Sequence, residues 1–174
     1  ECIPYISCGV SGPFSMAAKI YPQDKLLLDV FLEPHGVQEL LNFCTETILI
    51  YIQHALKAGV PVTLFDSFAS PPLISPEVYK DILLAFHQKI FDCLKSNHES
   101  IRPLIIGGNS HLLLNSLSKT GANFFILDYP ISDSEKEKIL NNYPFGFRIN
   151  LNPQLFFKKN PDSPKLPKRR IASN

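Results

Sequence analysis

Residues 60–76, VPVTLFDSFASPPLISP, decide the fold. Val62, Leu64 and Phe65 form a short apolar run with β-branched neighbours, the signature of a buried strand. The run breaks into Asp66 and Ser67, two small polar residues at the strand's C-terminal end. Ser70-Pro71-Pro72 then enforces an extended loop, because each proline drives the residue before it out of the helical region. Ser75 has the position of an N-cap, with Pro76 at the first helical position and Glu77 in the first turn. Strand, polar tip, loop and capped helix make one βα unit, with two functional groups where such units carry them.

The same unit repeats on both sides. Downstream, a helix over 76–97 places Val78, Ile82, Leu83, Phe86, Ile90, Phe91 and Leu94 on one face, and a strand at 103–106 ends in Gly107-Gly108-Asn109-Ser110. A helix over 111–118 leads through Lys119-Thr120-Gly121 to a strand at 123–127 ending in Asp128-Tyr129. Ser132 caps a charged helix over 133–142, and a strand at 145–149 runs into Asn150. Upstream, the spacing of Val37, Leu40, Leu41, Cys44, Ile48, Tyr51, Ile52 and Ala55 predicts an amphipathic helix over 36–57, stopped by Lys57-Ala58-Gly59. Helices over 14–20 and 23–32 precede it, and a strand at 3–7 runs into a Gly-rich turn. This alternation implies an α/β fold of parallel strands joined by right-handed crossovers. Continuous apolar strands such as NFFIL imply that both sheet faces are covered. An open doubly wound sheet and a part of a (β/α)8 barrel both satisfy the pattern, and about five strands cannot close such a barrel.

At 174 residues, 45% hydrophobic and 19% charged, the chain can bury one ordinary core. A formal charge of +1 argues against nucleic-acid binding driven by electrostatics. Residues 1–156 form the patterned region; residues 157–174, with the basic run KLPKRR, read as a solvated, disordered tail, the alternative being a contact with an anionic partner. No apolar run is long enough to span a bilayer. Cys2, Cys8, Cys44 and Cys93 show no CxxC pairing, and Cys44 and Cys93 fall on apolar helix faces, as reduced thiols of a cytoplasmic protein would. The sequence opens at Glu1 and its one methionine, Met16, lies inside a patterned segment, so the natural start is expected elsewhere.

Candidate ligand-binding residues are the polar strand ends: Asp66, Ser67, Asn109, Asp128 and Asn150. The alternative for Asp66 is a structural one, capping the following loop by accepting backbone N–H bonds. The turn at 9–13 offers its own N–H groups to a carboxylate. His54 and His87 are expected to face outward from helices, His35 and His98 lie in loops, and His111 alone is near enough to the strand ends to test as a general acid. No cluster has metal-ligand spacing, and neither a phosphate-binding loop nor a GxSxG elbow is present.

Taken in order, IPYISCGVSGPFSMAA, GVPVTLFDSFASPPLISPEVYKDILLAFHQKI, PLIIGGNSHLLLNSLSKTGANFFILDYPIS and INLNPQLF resemble the later part of the uroporphyrinogen decarboxylase superfamily. That superfamily includes the decarboxylase of haem synthesis and the cobalamin-dependent methyltransferases. The resemblance implies the C-terminal part of a (β/α)8 TIM barrel with the N-terminal strands missing. It also implies that the nearer branch, by the SFASPPLISP loop, is methyl transfer between a corrinoid and a small acceptor. That branch binds zinc through a His-x-Cys pair, at positions occupied here by Ile105 and Gly107, so no metal is expected. The distal cysteine of that branch is absent, and so is the late histidine of the decarboxylases, whose key carboxylate belongs to the portion missing here. The alternatives are decarboxylation of a tetrapyrrole acetate and a non-catalytic binding or assembly module. No bound cofactor is expected, the corrinoid entering as substrate. The partners implied are a small or tetrapyrrole ligand, a corrinoid protein, and either a second copy or an N-terminal half.

Overall fold

The computed structural model describes residues 6–129 and 131–154. Five strands, β1 (Cys8–Ser11), β2 (Val62–Phe65), β3 (Pro103–Ile105), β4 (Phe124–Leu127) and β5 (Gly146–Ile149), lie in one sheet in chain order. Every neighbouring pair is parallel, so each connection is a crossover. The sheet is open, with β1 and β5 as its edges. This is the expected α/β array, and the first strand corrects the sequence reading. It occupies Cys8–Ser11, inside the segment read as a turn; of the residues expected to form it, 3–5 lie outside the described residues. Gly9 belongs to the strand because the Phe65 ring of β2 lies across it, where a Cβ would come 3.1 Å from Phe65 Cε2.

Helices α1 (Pro13–Ile20), α2 (Gln23–Leu32) and α3 (Pro34–Lys57) join β1 to β2. After β2 comes one continuous helical rod: α4 (Pro76–Val78), a π-helical turn (Tyr79–Leu83) and α5 (Leu84–Ser96). Its start follows the predicted cap, with the Val78 N–H donating to Ser75 Oγ. A 3-10 turn (Ser110–Leu113) and α6 (Leu114–Leu117) precede β4; α7 (Asp133–Asn142), closed by a Ser132–Glu135 capping box, precedes β5.

Strand alternation divides the side chains between two faces. Val62, Leu64, Leu104, Phe125 and Leu127 point into the core, among Leu41, Ile48, Ile52, Phe91 and Leu94 of α3 and α5. Thr63, Phe65, Ile105, Phe124, Ile126 and Arg148 line the opposite, concave face, a cleft of about 430 Å³. Among the described residues no helix or strand covers that cleft, which corrects the expectation of two covered faces. Two helix faces also differ from expectation. Tyr51 is exposed, its hydroxyl 3.3 Å from Cys8 Sγ. In the rod after β2, Tyr79 and His87 are buried while Val78, Ile82 and Phe86 are only partly so. The π turn, in which the Leu84 N–H donates to the Tyr79 carbonyl five residues back, shifts the face by one residue.

Candidate functional site

The register aligns Phe65, Ile105, Ile126 and Arg148 in one row across the concave face. Two residues further along each strand come Ser67, Gly107, Asp128 and Asn150, on the same face by the period of two. The contacts agree. The Gly108 N–H donates to Asp128 Oδ2 at 3.3 Å, and Asn150 Nδ2 donates to Asp128 Oδ1 at 3.3 Å. A Cβ placed on Gly107 would lie 3.7 Å from Ser67 Cβ and 4.0 Å from Asp128 Oδ2. Three of the predicted residues, Ser67, Asp128 and Asn150, therefore meet in one polar rim over an apolar floor. Such a rim offers a carboxylate acceptor, a hydroxyl and an amide to a ligand.

Asp66 has the opposite parity, and this corrects its expected placement beside Ser67 at the rim. It shares the side of Val62 and Leu64 and is fully buried, 0% exposed. Its carboxylate accepts the Ser15 N–H at 2.7 Å on Oδ1 and the Phe14 N–H at 3.3 Å on Oδ2. These are unsatisfied N–H groups of the first turn of α1, so the carboxylate caps a helix contributed by the neighbouring βα unit. The anion-binding turn expected near 9–13 thus finds its anion inside the chain. Gly12 permits the approach: a Cβ there would come 2.4 Å from Cβ and Cγ of Asp66.

His87, expected to face outward, completes this cluster. Its Nε2 lies 2.8 Å from Asp66 Oδ2, and its Nδ1 lies 2.5 Å from the Tyr79 hydroxyl. An ionised carboxylate only accepts, so Nε2 donates, and Nδ1 accepts the tyrosine O–H. In a regular helix, residues eight apart are about 80° out of line; the extra residue of the π turn brings Tyr79 and His87 to one face. Burial, and then the Asp66 carboxylate, hold the Tyr79 hydroxyl well above its ordinary range. Sequence reasoning missed this network, although strict alternation from Val62 through Leu64 would have put Asp66 on the helix side.

The remaining candidates lie elsewhere. Asn109 is exposed on the turn beyond the rim, its N–H donating to the Pro71 carbonyl at 3.2 Å, and it falls outside the Ser67–Asn150 row. His111 turns toward α7, with Nε2 3.6 Å from Glu135 Oε1. Cys44 is buried among α3 core residues, where burial and the Asp66 charge push its thiol up to about 11. Ile105 and Gly107 both face the concave side, yet neither supplies a metal donor, and the donor set there does not fit zinc. Among the described residues no group of three His, Cys, Asp or Glu side chains could hold a metal ion, and no helix is long and apolar enough to cross a membrane.

Comparison with known proteins places this geometry in a family. The family described as Uroporphyrinogen decarboxylase (URO-D) matches residues 4–163. A uroporphyrinogen decarboxylase of Prochlorococcus marinus is 27% identical over 172 residues, covering 93% of this chain and 46% of that protein. One from a Synechococcus species is 27% identical over 157 residues, covering 85% of this chain and 43% of that protein. The chain therefore spans less than half the length of these relatives. Among solved structures, a methyltransferase from Methanosarcina mazei superposes with a TM-score of 0.68 at 24% identity, over 77% of this chain and 39% of that one. That likeness bears on the fold alone, and the fold is the one built above: parallel strands, helices on the outer side, polar groups at the C-terminal strand ends. By the match across 4–163, the chain belongs to the uroporphyrinogen decarboxylase family.

Proposed function

We propose that the rim of Ser67, Asp128 and Asn150 binds a small or tetrapyrrole-type ligand. In a completed barrel, the chemistry done there is methyl transfer between a corrinoid and a small acceptor. The observation that carries the binding site is the row of polar groups at the C-terminal strand ends, above the apolar row of Phe65, Ile105 and Ile126. The lean toward methyl transfer comes from the Ser-Pro loop at 67–76. With no donors at 105 and 107, the acceptor is held by Ser67 and Asp128 and is not activated by zinc. Decarboxylation of a porphyrinogen acetate is the second reading, favoured by that same lack of metal donors and by the names of the relatives. Titration of the chain with hydroxocobalamin and with uroporphyrin decides between them. Tighter binding of the corrinoid supports methyl transfer, and tighter binding of the porphyrin supports decarboxylation. No binding of either leaves a non-catalytic assembly module.

Completion of the barrel is part of the proposal. The β1 edge, unpaired among the described residues, lies beside a groove of about 390 Å³ lined by Gly9, Ser11, Lys19, Ile20, Thr47 and Tyr51. Ile20, Phe43, Ile50 and Tyr51, all more than half exposed, extend the apolar surface along α1 and α3. An open parallel edge next to such a surface suits a further βα unit, from the same polypeptide or from another.

A further inference from the structure

Tyr79, His87 and Asp66 form a chain of hydrogen bonds with one direction. The Tyr79 O–H donates to His87 Nδ1 at 2.5 Å, and His87 Nε2 donates to Asp66 Oδ2 at 2.8 Å. All three side chains are fully buried. The phenol therefore has a base within reach of its proton, and the base has an anion behind it. In such an arrangement the imidazole takes a proton and the carboxylate stabilises the imidazolium that forms. The π turn puts Tyr79 and His87 on one face of the rod, and turns of this kind recur at functional sites.

Two other tyrosines make side-chain hydrogen bonds, and neither has such a base. Tyr51 is exposed and meets the Cys8 thiol; Tyr21, partly exposed, donates to Asp29, a carboxylate and so a weaker base than imidazole. Cys44, which also feels the Asp66 charge, is kept as a thiol by burial. Losing an electron turns a phenol into a strong acid. In a dry core that proton must have an acceptor, because an unpaired buried cation is costly. Tyr79 has one.

We propose that Tyr79 is a redox site that gives up an electron and a proton together. The oxidant is a one-electron acceptor, of the class of an oxidised tetrapyrrole radical cation. It takes one electron from the phenol; the Tyr79 O–H bond breaks, and its proton bonds to His87 Nδ1. Tyr79 becomes a neutral phenoxyl radical and His87 an imidazolium paired with the ionised Asp66. A one-electron reductant reverses each step. Asp66 and Ser67 are consecutive and point to opposite sides of the sheet, so the cluster lies directly behind the ligand side. Only an electron crosses; no reactant has to enter the core. This goes beyond the ligand-binding reading and stands without it, since any one-electron acceptor at the surface can serve.

Flash photolysis of tris(bipyridine)ruthenium(II), with pentaamminechlorocobalt(III) as the quencher, oxidises the chain, and EPR with transient absorption follows the tyrosyl radical. The wild-type radical should outlive that of N-acetyltyrosinamide under the same flash by at least about tenfold, the scale of one hydrogen bond. Tyr79→Phe should lose the long-lived signal. His87→Gln, which still accepts a hydrogen bond but takes no proton, should lose it too while circular dichroism shows the variant folded. Should His87→Gln fail to fold, high-field EPR of the wild type decides, because a hydrogen bond from an imidazolium lowers gx below that of the free radical. A wild-type radical as short-lived as the reference, a long-lived radical that survives in Tyr79→Phe or in folded His87→Gln, or an unshifted gx would overturn the proposal.

Discussion

Replacing Asp66 by alanine removes a buried carboxylate that serves three donors: the Ser15 N–H at 2.7 Å, the Phe14 N–H at 3.3 Å and His87 Nε2 at 2.8 Å. The site is fully buried, so bulk solvent does not reach these donors. A buried donor left unsatisfied costs about 1–3 kcal/mol, and both the Ser15 N–H and neutral His87 Nε2–H lose their acceptor. The Phe14 contact is long and adds little, so the expected total is about 4 kcal/mol. With a urea m-value of about 2 kcal/mol/M, the unfolding midpoint falls by roughly 2 M at unchanged m. Asp66→Asn is milder, about 1–3 kcal/mol. Its oxygen still caps α1, but its NH2 group faces His87 Nε2 and forces the other tautomer, which leaves the Tyr79 hydroxyl without an acceptor. Urea unfolding followed by far-UV circular dichroism measures both variants. A midpoint for Asp66→Ala within about 0.3 M of wild type, equivalent to less than about 0.6 kcal/mol, would refute the capping role.

Gly12 and Gly107 form a matched pair. Gly12→Ala drives a methyl to 2.4 Å from the Asp66 carboxylate carbon and should cost about 3 kcal/mol or prevent folding, whereas Gly107→Ala meets ordinary contacts at 3.7–4.0 Å and should change thermal stability by under about 1 kcal/mol. Equal effects in a thermal melt would contradict the geometry. Tyr79 has a raised folded-state pKa, so the folded chain keeps its proton where the unfolded chain, near pH 10, loses it. Stability from this group is therefore complete below about pH 10 and falls as pH rises above it. Tyr79→Phe should flatten that alkaline decline while lowering stability at pH 7 by about 1–2 kcal/mol, since His87 Nδ1 loses its donor; an unchanged alkaline slope would remove Tyr79 from the network.

The fold was legible because its units are redundant. Residues 60–76 carry a strand, a proline-bound loop and a capped helix, and the structure places β2 at Val62–Phe65 and the helix start at Pro76. The first strand was not legible. Gly9 and Gly12 look like a turn in one dimension, and only the Phe65 ring and the Asp66 carboxylate on the neighbouring strand explain why glycine stands there. The rim was half legible. Ser67, Asp128 and Asn150 were found as polar strand ends, but a polar strand end has a face as well as a position, and adjacent residues point to opposite sides. Asp66 and Ser67 were treated as a pair, though one supports a helix and the other faces the cleft. His87 escaped notice because a regular 3.6-residue repeat ranks it with the surface; the π turn that buries it has no simple sequence signal.

The central claim is that the ligand side of this sheet is the side of Ser67 and Asp128, and that Asp66 belongs to the packing side. The most direct measurement is the equilibrium affinity of uroporphyrin, or of hydroxocobalamin if that binds more tightly, for Asp128→Asn and Asp66→Asn at a temperature where circular dichroism shows both variants folded. Asp128→Asn should weaken binding by about tenfold or more, as expected for a lost hydrogen bond to a charged group, and Asp66→Asn should bind as the wild type does. Weakened binding in Asp66→Asn with wild-type affinity in Asp128→Asn would contradict the account.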